Sequence, residues 1–340
     1  MNSRERMIKT FEFDHPDRIP VVYHPSPAGL YVHGRKLLDL FNACPPDNPI
    51  DFSQLPAPAP ETLYDGSYHE LKFDEWGVEW EFLIFGIQGQ VKTYPLADLS
   101  RLGTYEFPPL PQWDSPEMRT ERATVAQQKK EFLVFRGGIS LLEKMFALRP
   151  MDEVLMDLFS EEKSIIQLLD RLTAYMKKQT EYNLELGTDV IMFGDDWGIQ
   201  TGPLVPPELF HRIFRPRYEE IFKEIKQTGR RIFFHSCGML GPIFDELVDM
   251  GIDGIWHQAN RYSEPDFVAK CRANNVTAFL HPDRQHLIPF GSPAEIRDRI
   301  RRYADTYHEL GGGGIFYVEI ENDAPWENVK ALIESIQEFR

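Results

Sequence analysis

From about Phe132 onward, short apolar runs rich in Val, Ile and Phe alternate with amphipathic stretches long enough to form helices. That alternation is the mark of repeated β-α units. The runs are Phe132-Leu-Val-Phe135, Asp189-Val-Ile-Met-Phe193, Arg231-Ile-Phe-Phe234, Gly251-Ile-Asp-Gly-Ile-Trp256, Thr277-Ala-Phe-Leu280 and Gly314-Ile-Phe-Tyr-Val318. With Ile19-Pro-Val-Val-Tyr23 they number seven, one short of a barrel. Helix punctuation agrees: Ser292 and Glu295 form a capping box ahead of Ile296, and Gly311 stops the same helix. No Gly-x-Gly-x-x-Gly follows the first strand, so a (β/α)8 TIM barrel is expected rather than an open doubly wound sheet.

The first third of the chain reads differently. A short helix is expected from about Arg4, followed by the first strand and then by stretches broken at Pro45-Pro46, Pro56, Pro58 and Pro60, where proline blocks helix interiors and central strands. Aromatic and β-branched residues between about Leu71 and Tyr94 suggest a lid-like hairpin, and Pro108 to Pro116 mark a linker. Residues 1–340 are therefore read as one TIM-barrel domain, with 1–130 holding the first strand, the Pro-rich connections and an irregular cap.

Composition narrows the function. The 37 Lys+Arg against 53 Asp+Glu give a net charge of −16, which leaves no general attraction for nucleic acid or anionic lipid. No stretch approaches the roughly 18 uninterrupted apolar residues of a membrane span, and the charged N-terminus lacks a secretory signal. Three cysteines, Cys44, Cys237 and Cys271, make a poor disulfide framework, so a reducing cytoplasm is expected.

Barrel enzymes place their chemistry at the C-terminal ends of the strands. Nearly every run here ends in an ionisable or metal-binding residue: His24, Arg136, Asp195 with Asp196, His235 with Cys237, His257, His281, and Glu319 with Glu321. In Phe233-Phe-His235-Ser-Cys237-Gly238, residues two apart on a strand point the same way, so an imidazole and a thiol enter the mouth together, a pair suited to zinc or equally to a hydrogen-bonded core. Glu319 and Glu321 share that spacing, and an inward carboxylate needs a counter-charge or a metal, which makes either a candidate third ligand. The alternative is a pair of solvated loop acids. Asp195 and Asp196 fall on opposite faces, so one serves the site; Asp196, sharing a face with Gly198, is chosen. Glu143 at a helix start, Trp197, Gln200, His257 and Tyr317 are expected to touch substrate, and Arg136 and His281 to assist proton transfer.

At Phe234-His-Ser-Cys-Gly238, followed by Gly251-Ile-Asp-Gly-Ile255, the chain resembles the uroporphyrinogen decarboxylase superfamily, and within it the corrinoid-linked (methylcobamide) methyltransferase branch. Ser3-Arg-Glu-Arg6, Pro16-Asp-Arg-Ile-Pro20, Asp74-Glu-Trp-Gly77, Pro95-Leu-Ala-Asp98, Gly194-Asp-Asp-Trp-Gly-Ile-Gln200, Pro289-Phe-Gly-Ser-Pro293, Gly311 to Gly314 and Glu327-Asn-Val-Lys-Ala331 extend the likeness. The resemblance implies a TIM barrel and a zinc site built from His235, Cys237 and a later cysteine. Here that later position falls at Val318, with Glu319 next to it. A carboxylate in place of a thiolate gives a harder zinc and favours an oxygen or nitrogen centre over a thiol. The stretch Ile19 to Gly29 carries no arginine, unlike the arginine-rich segment with which true decarboxylases hold their tetrapyrrole. The expected function is zinc-dependent methyl transfer between a small O, N or S compound and a corrinoid (methylcobalamin) carried by a partner protein. The alternatives are a metal-free decarboxylase using Asp195 or Asp196 with Arg136 and His281, and a non-catalytic corrinoid-binding barrel.

Overall fold

The computed structural model describes residues 1–24, 26–50, 53–258 and 260–340. Each of the seven expected runs contributes to one parallel sheet, although the second strand begins only at Phe135, the last residue of the run 132–135. Its strands are Val21–His24, Phe135–Gly137, Val190–Gly194, Arg231–Ser236, Gly254–His257, Thr277–Leu280 and Gly314–Glu319, called here first to seventh. In space the first strand pairs with the seventh, and the order then runs back through the sixth, fifth, fourth and third to the second. The sheet curls into a TIM-barrel-like α/β fold. Among the described residues no eighth strand joins the first to the second.

Strand alternation divides the side chains between two environments. Phe135, Val190, Met192, Phe233, Trp256, Phe279, Ile315 and Tyr317 fill the interior, where Met7 and Phe11 of the helix Ser3–Glu12 join them. That helix plugs the end where the strands begin: Arg4 makes a bidentate pair with Asp189 and donates to the Phe132 carbonyl, and Gly313 N–H donates to Thr10 O. The alternate residues, among them Ile191, Phe193, Ile232, Phe234, Ile255, Leu280, Phe316 and Val318, pack beneath the outer helices. With one end plugged by apolar side chains, the polar strand endings collect at the other. The helix Pro293–Leu310 has the expected capping box, and Gly311 ends it at φ 72°.

The first third holds more structure than its prolines suggest. Two helices, Pro27–His33 and Arg35–Ala43, follow the first strand, the second burying Leu37, Leu38 and Phe41. Pro27 sits at a first-turn position, where its missing N–H costs nothing. The lid-like segment is a three-stranded antiparallel sheet, Glu70–Phe73, Glu79–Phe82 and Gln90–Thr93, rather than a hairpin. Pro116 likewise opens a helix, Pro116–Gln128. No helix among the described residues is long and apolar enough to cross a membrane.

Candidate active site

The ends of the third and fourth strands bring Asp196, His235 and Cys237 together, with one donor atom from each within 4.8 Å of the others. His235 Nε2 lies 3.6 Å from Cys237 Sγ and 3.5 Å from Asp196 Oδ1. Tetrahedral zinc with bonds of about 2.0 to 2.3 Å needs ligand atoms about 3.3 to 3.6 Å apart, and both separations from His235 fall in that range. The imidazole is also correctly oriented. Its Nδ1 lies 3.0 Å from the Trp256 carbonyl, which can only accept, so Nδ1 carries the proton and Nε2 presents a lone pair. Burial lowers the His235 pKa, keeping the ring neutral. Burial first, and then Asp196, push the Cys237 thiol up, so without a cation it is a protonated thiol and a poor nucleophile.

Two glycines make this convergence possible. A Cβ on Gly198 would lie 2.6 Å from the Cys237 carbonyl oxygen, and one on Gly238, at φ 70°, would lie 2.3 Å from the Gly198 carbonyl carbon. The two loops therefore touch backbone to backbone. Cys237 N–H donates to Asp196 Oδ1 at 2.8 Å, and Trp197 N–H donates to Ser236 Oγ at 2.9 Å.

Asp195 and Asp196 point to opposite sides. Asp195 is fully buried, and accepts from the backbone N–H groups of Leu141, Leu142 and Glu143, each at 2.9 Å, and from the Tyr218 hydroxyl. Burial raises its pKa to about 6 against the pull of those donors. It does not reach the mouth. Glu143, in the first turn of the helix Leu142–Leu148, accepts from the Ser140 hydroxyl at 3.0 Å, and its charge acts on both Asp196 and Cys237. Its side chain keeps exposed surface, yet partial enclosure, then Asp195 and Asp196, push its pKa up to about 7.

The mouth opens into a cleft of about 870 Å³ lined by Gln200, Cys237, Gln258, His281 and Arg284, and a neighbouring one of about 640 Å³ shares Gln200 and Arg284. Trp256 forms the wall beside the donor cluster, its ring 3.9 Å from that of His235 and 4.2 Å from that of Tyr317. His281 is buried beside it. Its Nδ1 accepts from Trp256 Nε1 at 3.2 Å, and burial, Arg284 and His235 hold its pKa down to about 3. Gln200 donates to the Gln285 side chain at 2.8 Å across the cleft edge.

Several expected site residues lie elsewhere. Glu319 and Glu321 do not join the donor cluster; both lie 3.4 Å from Arg284 Nη1, which supplies the counter-charge that an inward carboxylate needs. Val318, where the family's later cysteine would fall, is buried under the outer helices. Arg136 points away from the barrel interior and lies 3.5 Å from Glu121, because alternation turns it outward between Phe135 and Gly137. Trp197 is fully buried between Phe210 and Phe214 instead of lining the cleft. His257 also faces outward, into a cavity of about 60 Å³ beside Phe267, with its pKa lowered to about 4 chiefly by burial. Cys271 is a buried helix residue, as its mid-helix position suggests.

Arg284 and Tyr218 escaped the sequence reading. The signal for Arg284 was available: a cation a few residues beyond the sixth strand, in a mouth otherwise crowded with acids. Tyr218 sits in the helix Arg215–Gln227 with nothing local to mark it.

Residues 133–339 match the family model described as uroporphyrinogen decarboxylase (URO-D). Among curated proteins, the uroporphyrinogen decarboxylase of Thermus thermophilus is 26% identical over 187 residues, 53% of this chain and 50% of that one. That of Coxiella burnetii is 27% identical over 184 residues, 52% of this chain and 47% of that one. The chain spans about half the length of the curated relatives it matches. Among solved structures, a methyltransferase from Methanosarcina mazei aligns over 100% of this chain and 99% of its own, with a TM-score of 0.61 at 16% identity, a likeness of fold.

Proposed function

Since the chain belongs to the uroporphyrinogen decarboxylase family, we propose that it is a member that transfers a methyl group between a small heteroatom compound and a corrinoid carried by a partner protein, with zinc held by Asp196, His235 and Cys237. One observation carries this reading: an imidazole, a thiol and a carboxylate converge at ligand spacing, with the imidazole tautomer already set for coordination. Three protein ligands leave a fourth position open, as catalytic zinc sites do. Bound there, zinc would act as a Lewis acid on the heteroatom that gives or accepts the methyl group.

The chain's own residues do the rest. The Trp256 carbonyl holds His235 in its coordinating tautomer, and the Cys237 N–H steadies Asp196. Gln200 and Gln258 offer hydrogen bonds to a polar substrate in the cleft. Trp256 and Tyr317 present an apolar wall that limits water beside the cluster. Glu143, with its carboxyl pushed up to about 7 and its charge felt by Asp196 and Cys237, can hold or release a proton near neutral pH.

Decarboxylation of a porphyrinogen fits less well. Its many carboxylates call for free cations, yet both arginines lining the larger cleft are already paired, Arg261 with Glu264 and Asp266, and Arg284 with Glu319 and Glu321. Metal analysis of the purified protein should find close to one zinc per chain, and His235→Ala and Cys237→Ser should abolish it in proteins that still fold, Cys237→Ser with little change in melting temperature and His235→Ala with a drop from the lost contact with Trp256. The wild type should exchange methyl groups with methylcobalamin or a corrinoid protein and leave uroporphyrinogen intact. Full methyl transfer by metal-free protein would refute the zinc site, and rapid uroporphyrinogen turnover would refute the function.

A further inference from the structure

Asp195 has no exposed surface, yet three parts of the mouth meet at it. Its backbone N–H donates to the His235 carbonyl at 3.1 Å, and its two successors are tied to the same strand end, Asp196 through Cys237 N–H and Trp197 through Ser236 Oγ. Its side chain reaches the other way. Oδ2 accepts from Leu141 N–H, Leu142 N–H and the Tyr218 hydroxyl, while Oδ1 accepts from Glu143 N–H. One carboxylate thus joins the segment that carries Asp196 to the turn that carries Glu143. Packing alone would not call for it, because a buried charge is costly and an apolar group of similar volume would fill the space.

We propose that Asp195 is a positioning residue, whose four accepted hydrogen bonds hold the Asp196 segment at coordinating distance from His235 and Cys237 by tying it to the turn that carries Glu143. This role rests on the metal site proposed above. It requires an acceptor at both oxygens. In Asp195→Asn the amide oxygen can serve the three donors at Oδ2, but the amide nitrogen then faces the Glu143 N–H, donor against donor; the opposite orientation sets it against Leu141 and Leu142 instead. The joint is broken while the volume is kept.

Cobalt(II) titrated into metal-stripped protein is a suitable probe, because its visible spectrum reports coordination geometry without any turnover. Asp195→Asn should bind cobalt(II) about 10- to 100-fold more weakly than wild type, the range for lost outer-sphere partners, and with an altered spectrum. Leu168→Ala, a cavity in the fully buried core of the helix Lys163–Glu185, should lower the melting temperature and leave the spectrum unchanged. That contrast separates positioning from bulk stability. If Asp195→Asn does not fold, Tyr218→Phe, which removes one donor and keeps the ring, should weaken binding several-fold. Wild-type affinity and spectrum in Asp195→Asn, or in Tyr218→Phe where that variant stands in, would overturn the positioning role. If the wild type itself takes up no cobalt(II), the metal site fails first and the positioning role with it.

Discussion

The His281 ring by itself should weaken the fold as the pH is lowered from 7 to 5. The ring is only 4% exposed, and its Nδ1 accepts the Trp256 indole proton, so protonating that nitrogen would break the bond. Burial, followed by the charge of Arg284 and then by His235, holds the pKa down to about 3, against about 6.5 in an unfolded chain. The sign follows from proton counting: below pH 6.5 the unfolded chain binds a proton that the native ring refuses, so stability present above that pH is lost as it falls toward 3. Each pH unit inside this window is worth about 1.4 kcal/mol, so the part crossed between 6.5 and 5 amounts to about 2 kcal/mol. Urea unfolding at the two pH values, comparing wild type with His281→Asn, isolates the effect, because Asn stays neutral and places an acceptor near the old Nδ1. The stability gap between the two proteins should shrink by about 2 kcal/mol at pH 5. His257, also lowered, is present in both and cancels. A gap that does not move with pH would refute the assigned environment of His281. The same environment bears on function: a ring that stays neutral at pH 7 cannot supply an imidazolium proton to a carbanion, as the metal-free decarboxylase reading requires.

Gly238→Ala should cost both stability and metal, since the new Cβ would sit 2.3 Å from the Gly198 backbone at a positive φ; zinc content and melting temperature at wild-type values would show that the loops can part without consequence. Asp196→Asn should lower zinc content while Glu319→Gln leaves it near one per chain, because Glu319 is engaged by Arg284. The reverse pattern would return Glu319 to the metal sphere and take Asp196 out of it.

Most of the barrel was legible because each strand carries its own evidence. Apolar alternation and β-branched content are local, and seven such runs separated by helical stretches leave little choice of fold class. The N-terminal third was harder for the opposite reason. Pro45, Pro46, Pro56 and Pro58 do fall outside helices and strands, but Pro116, read as part of a linker, opens a helix from a first-turn position, where proline does no harm. Spacing alone does not separate a proline that ends an element from one that begins it.

The site divides along the same line. His235 and Cys237 were visible as a pair because they share one strand face, whereas their closest carboxylate comes from the neighbouring strand, at a Gly-flanked step where no pattern fixes the phase. Glu319 shows the limit of arguing from charge. That an inward carboxylate needs compensation was sound, but compensation has two sources, a metal or a cation, and the sequence places both within reach. Arg284 lies nearer to Glu319 along the chain than either His235 or Cys237 does, and the structure pairs it with both acids. Trp197 fails for a related reason: an aromatic side chain beside an active-site motif serves packing as readily as substrate, and only its neighbours Phe210 and Phe214, on a later helical segment, decide between them. What the sequence withholds is thus the partner from another element. The donor cluster is persuasive because three elements converge on it: the third strand's end supplies Asp196, the fourth supplies His235 and Cys237, and the fifth supplies the Trp256 carbonyl that sets the imidazole.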